Sequence, residues 1–195
     1  MKFFDWNYDI LRGMDVFFST EQFSILSCLI RIDAKGFKKI FDLMVPSHSG
    51  LISEDRSWFF ATEETIRGLR ENSLINFCNR NKQIIFIYRW NNFDDLVLRE
   101  QALKELSYLR LKQIPYDFFT LFTFPKCLKW IRILFSRQID DDSSEICSET
   151  VFRIFKKFGL ENYPAIWDQI PPKPCELELF FKSRNDFVKI MNFKK

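Results

Sequence analysis

Phenylalanine fills 24 of the 195 positions, spread along the chain with no fixed spacing. Each such ring brings 150–250 Å² of surface that must leave water, so the chain needs a large shared interior. The absence of a constant period argues against stacked repeats. With 47% hydrophobic residues, a chain of this length is expected to close around one core, giving a single domain over 1–195 with 1–12 as a short leader.

The charge balance, 29 Lys and Arg against 26 Asp and Glu, leaves +3 and lacks the basic excess of a dedicated nucleic-acid binder, so no nucleic-acid partner is expected. Five cysteines, an odd number without a CxxC pair, fit free thiols in a reducing compartment better than a disulfide framework. The opening Met1-Lys-Phe-Phe-Asp-Trp-Asn meets polar residues before any long apolar run and does not read as an export signal. The best spanning candidate, Phe118 to Phe135, is interrupted by Lys126, Lys129 and Arg132, so a cytoplasmic protein without a membrane span is expected.

Gly13 to Thr20 reads as a buried first strand, and the three- and four-residue spacing of apolar side chains from Glu21 to Met44 as helical segments. Ser49–Ser53, Trp58–Ala61 and Gln83–Trp90 read as strands, with Glu54 to Ser57 turning between the first two. Leu96–Leu111 places Leu98, Ala102, Leu103, Leu106 and Leu109 near one face, the pattern of an amphipathic helix ending before Pro115. A second amphipathic helix is expected over Ser148–Phe158 with Gly159 as its C-terminal cap. Beyond Ile170, an extended tail is expected to carry a last strand at Leu177–Phe181.

The chain holds one histidine, His48, so any imidazole chemistry must use it. Cys147 lies between a polar loop and a helix, and at a helix N-terminus backbone N–H groups and the dipole stabilise a thiolate. Thiolate and imidazole are the two groups that nucleophilic attack on a carbonyl needs. Taken alone, a buried Cys and a lone His are equally ordinary core residues. There is no P-loop, no GxGxxG and no metal-type cluster of His, Cys and Asp, so neither metal nor cofactor is expected.

Four short motifs occur in order. Gly13-Met-Asp-Val-Phe-Phe resembles the opening "GD-apolar-apolar" strand of the circularly permuted papain-like hydrolases of the NlpC/P60 superfamily, in the YiiX/YaeF-like group that includes a poxvirus branch. Ser47-His-Ser-Gly-Leu-Ile is similar to that group's histidine strand, Ile114-Pro-Tyr-Asp-Phe to its "PYDF" segment, and Ile146-Cys-Ser-Glu-Thr-Val to its nucleophile helix. The tail from Pro171 to Ser183 is loosely similar to the group's closing segment. Each motif is short, and their conjunction over about Gly13 to Ile190 carries the resemblance.

The resemblance implies an α+β fold, a small antiparallel sheet of five or six strands packed against the nucleophile helix and flanking helices. It implies Cys147 as nucleophile, His48 as general base and acid, and the Cys147 N–H as part of the oxyanion site. Tyr116 would line the cleft beside Asp117, which would touch substrate or brace the loop, and Glu149 would favour the helix's first turn. Relatives orient the histidine with a polar residue before Ala on the next strand. Here that stretch reads Trp58-Phe-Phe-Ala-Thr-Glu-Glu, so direct overlay gives Phe60, and a small shift gives Glu64, Glu63 or Thr62.

The reaction so implied is thiolate attack on an amide or ester carbonyl of a peptide or acyl substrate, through a thioacyl intermediate and without a cofactor. The alternative is an inactive binding protein of the same fold. Phe118–Phe135 reads as a core-facing helix with snorkelling lysines, the competing reading being a peripheral membrane or acyl-chain surface.

Overall fold

The computed structural model describes residues 10–21, 45–55, 58–65, 68–78, 82–113 and 147–192. Six strands form one antiparallel sheet: β1 (Val16–Glu21), β2 (His48–Asp55), β3 (Trp58–Thr65), β4 (Gly68–Ser73), β5 (Lys82–Trp90) and β6 (Phe187–Asn192). Their spatial order is β4-β3-β2-β1-β5-β6, which puts β1 and β2 at the centre. The described α-helices are α1 (Leu74–Cys78), α2 (Leu96–Lys112), α3 (Cys147–Lys157) and α4 (Pro174–Lys182).

Alternation along the central strands divides the core into two halves, because successive side chains point to opposite faces. Val16, Phe18, Leu51 and Tyr88 meet Leu106 of α2, Val151 and Phe155 of α3, and Phe181 of α4. Phe17, Ile52, Ala61, Ile84 and Ile87 meet Leu74 and Phe77 of the short α1 on the other face. The phenylalanines concentrate as expected: Phe181 stacks on Phe187 at 4.0 Å, and Trp90 lies 5.2 Å from Phe155 and 5.1 Å from Phe93. Such ring pairs add about 0.5–1.5 kcal/mol each beyond the area they bury.

Helix boundaries follow their capping chemistry. Asp95 accepts the Val97 N–H at 2.8 Å and so opens α2. Gly159, at φ 95°, closes α3: Leu160 N–H reaches the Phe155 carbonyl at 2.9 Å and Leu160 is buried, the arrangement that ends a helix with a left-handed residue. The cap expected at Gly159 is therefore present.

Two expectations change. Leu177–Phe181 is helix, within α4, and the last strand is β6 at Phe187–Asn192. Pro174 at the first helical position and Glu176, whose Oε2 accepts the Lys173 N–H at 3.0 Å, start α4 and override the short apolar run. The first strand also begins later, at Val16, because Gly13 to Asp15 form a turn with Met14 at φ 72°. The expected helical segments at 21–44 and the 118–135 stretch lie outside the described residues, apart from Glu21, which ends β1.

Candidate active site

The conspicuous carboxylate of the first motif has a structural task. Asp15 is 1% exposed and receives Arg89 Nε and Nη2, both at 2.8 Å, plus the Arg12 N–H at 2.9 Å. The same Nη2 donates to the Ile10 carbonyl at 2.6 Å. Burial pushes the Asp15 carboxyl above its ordinary value while Arg89 pulls it back down, so the bidentate guanidinium is what makes this carboxylate tolerable in the interior. Gly13 N–H adds a 2.9 Å bond to Glu54 Oε2. Together these contacts fasten the entry of β1 to β2 and β5.

His48 is the first residue of β2 and is partly exposed. It pairs directly with Ser19 of β1. Its ring centroid lies 5.8 Å from that of Phe17 and 6.2 Å from that of Phe77, on the face that α1 covers. Gly50, two residues on, is required by close approach: a Cβ there would stand 2.5 Å from both Phe17 Cζ and the Thr62 carbonyl oxygen.

Beyond that point β3 leaves β2. The paired residues end at Ile52 with Ala61, after which Thr62 Oγ1 accepts the Leu51 N–H at 2.7 Å and β3 continues beside β4. Glu63 and Glu64 follow there, opposite Arg70 and Leu69 in the backbone register. Phe60 pairs with Ser53, an odd number of residues from His48, so it shares the opposite sheet face and does not cap the imidazole. The aromatic neighbours that do flank it, Phe17 and Phe77, were not singled out by overlay on the motif.

Cys147 is the first residue of α3 and only 3% exposed. Ser148 Oγ donates to the Pro172 carbonyl, which ties the start of α3 to the start of α4. Glu149 stands in the first turn, where a carboxylate complements the helix dipole. The helix has β2 as its main neighbour, and Phe155 against Trp90 fixes its C-terminal half over the end where β2 finishes. Cys147 lies eight residues before Phe155, about 12 Å along the helix. The helix packs on the sheet face of Val16, Phe18 and Leu51, whereas the aromatic neighbours of His48 belong to the other face. Tyr116 and Asp117 lie outside the described residues.

Burial raises the two other described thiols, Cys78 to about 12 and Cys175 to about 11. Neither is a thiolate at neutral pH.

The architecture defines a class, a mixed α/β protein with a six-stranded antiparallel sheet and a Cys-led helix on its histidine strand. Within it the chain resembles a solved structure described as metalloprotein yiiX from Escherichia coli O157:H7, DUF1105, with a TM-score of 0.59 over 94% of this chain and 98% of that one. Identity is 12%, so the likeness is one of fold: the chain has a YiiX-like fold. No protein-family model matches the sequence. A search of curated proteins finds no match. Among the described residues no helix is long and apolar enough to cross a membrane.

Proposed function

We propose that the protein is a cysteine hydrolase of the permuted papain-like type, acting on an amide or ester carbonyl through Cys147 and His48. The observation that carries this reading is the seating of Cys147 as first residue of a helix packed against the strand opened by the only histidine. A thiol at that position has the α3 N-terminal amides around it, which favour thiolate and later the oxyanion of a tetrahedral intermediate. From the first position of β2 the His48 ring would have to reach past the strand end to the α3 face, where it would take the thiol proton and return it to the leaving group, and water or another acceptor would release the acyl chain. Glu64, Glu63 and Thr62 stay the proposed orienting residues of β3, and Tyr116 with Asp117 the proposed substrate contacts. A peripheral membrane role for 118–135 is part of the same proposal, since an apolar acyl group is a fitting substrate for such a segment.

The neighbour is described as a metalloprotein. Among the described residues no group of three or more His, Cys, Asp or Glu is arranged to hold a metal ion, so these residues do not fit one and no step is routed through it.

A second reading, an inactive binding protein, is favoured by the apolar rings of Phe17 and Phe77 beside the imidazole. Iodoacetamide labelling followed by mass spectrometry separates the two. The hydrolase reading expects Cys147 to react below pH 7, with Cys78 and Cys175 as slow internal references, and to slow in His48→Ala. Labelling of Cys147 that is no faster than the references, or indifferent to His48, would assign the protein to the binding class.

A further inference from the structure

Ser19 sits in β1 directly opposite His48, and directly paired residues of an antiparallel sheet share a face with Cβ atoms about 4.5–5.5 Å apart. Its other cross-strand partner, Ile84 of β5, is apolar, as is Phe17 two residues back on the same face. The Ser19 side chain is 1% exposed and its hydroxyl has no hydrogen-bond partner among the described residues. A buried hydroxyl left unsatisfied costs stability, and alanine would fill this position without that cost. Like the hydroxyls of Thr20, Ser49 and Ser53, it has no partner among the described residues, and of these four only Ser19 stands directly opposite the imidazole. Its one polar cross-strand neighbour is the imidazole.

We propose that Ser19 positions His48. In a χ1 rotamer that turns Oγ to the ring it would accept an N–H from one nitrogen and leave the lone pair of the other for a proton. Ser19 then holds the ring from β1, an alternative to orientation by Glu64, Glu63 or Thr62 of β3. The functional meaning of this contact rests on the hydrolase reading, whereas the contact itself does not.

A single histidine makes the test direct, since the imidazole gives one set of ¹⁵N signals. Spectra are recorded at about pH 8, above the ordinary imidazole pKa, for the wild type, Ser19→Ala and Ser19→Thr, in the Cys147→Ala background. The expected result is one dominant tautomer in the wild type, a mixed population in Ser19→Ala and recovery in Ser19→Thr. In the Cys147-containing protein, Ser19→Ala is expected to slow Cys147 alkylation about three- to tenfold, the worth of one ordinary hydrogen bond. Unchanged ¹⁵N shifts in a Ser19→Ala protein with wild-type circular dichroism would overturn the proposal. Shifted spectra beside a Cys147 that is no faster than a buried thiol would uphold the Ser19–His48 contact and sink the hydrolase reading instead.

Discussion

Gly50→Ala tests the geometry of the histidine strand most sharply. The added methyl would stand 2.5 Å from Phe17 Cζ, 2.8 Å from Phe17 Cε1 and 2.5 Å from the Thr62 carbonyl oxygen, against an ordinary contact of about 3.5–4.0 Å. Phe17 is fully buried and cannot swing away, and the Thr62 oxygen belongs to the β3 backbone. Relief must come from separating β2 and β3 or displacing Phe17, whose ring is also a neighbour of the imidazole. Overpacking of this kind costs about 1–3 kcal/mol, and two unyielding contacts place this case at the upper end. For a chain of this size, each kcal/mol lowers Tm by about 2–4 °C, so a drop of about 5–10 °C is expected. Thermal melting followed by circular dichroism measures it, and the His48 ¹⁵N signals should move in the same variant. A Tm within about 2 °C of wild type, at the lowest end of that scale, would refute the close approach of β2, β3 and Phe17.

Tyr88→Phe removes the phenol that donates to buried Glu178 at 2.7 Å, with an expected loss of about 1–3 kcal/mol in urea unfolding. Burial first, then the Glu178 carboxylate, raises the Tyr88 pKa well above its ordinary value of 10.0. The unfolded chain thus ionises first, and this contribution is whole below pH 10 and lost as pH rises beyond it, so the wild type should lose stability above pH 10 more steeply than Tyr88→Phe. Arg89→Leu strands the Asp15 carboxylate in the interior and should cost about 3–5 kcal/mol, read as a Tm fall of about 6 °C or more that Asp15→Asn partly restores. Equal melting of Arg89→Leu and wild type would contradict the structural role given to Asp15.

What the sequence disclosed followed the strength of the local signal. Gln83–Trp90 and Leu96–Leu111 carry dense β-branched or 3.6-periodic apolar patterns, and β5 and α2 match them within a residue or so. The strand β4, Gly68-Leu-Arg-Glu-Asn-Ser, was not legible because its place at the sheet edge asks for only one buried large side chain, Leu69. The helix α1 has five residues, too few for any period, and Leu177-Glu-Leu-Phe-Phe is an apolar run short enough to suit strand or helix. Pro174 followed by Glu176 was the signal that could have decided for helix. At the candidate site, His48 and Cys147 were visible by residue type and motif, and their elements are neighbours. Ser19 was invisible, because a serine in a strand acquires meaning only from the register that sets it against His48.

The strand order also sets a timetable. β1 lies between β2 and β5, and its residues from Glu21 to Val16 pair with Lys82 to Tyr88 much later in the chain. His48 is synthesised 99 positions ahead of Cys147, a lag of roughly 5–20 s at ordinary translation speeds. During that interval the nascent sheet has no α3 against β2 and no α4 to secure Ser148 through Pro172. Pairings so distant along the chain fold slowly. A ribosome-bound fragment therefore carries His48 before Cys147 exists, and any joint chemistry proposed for the two waits until α3 and α4 have been made.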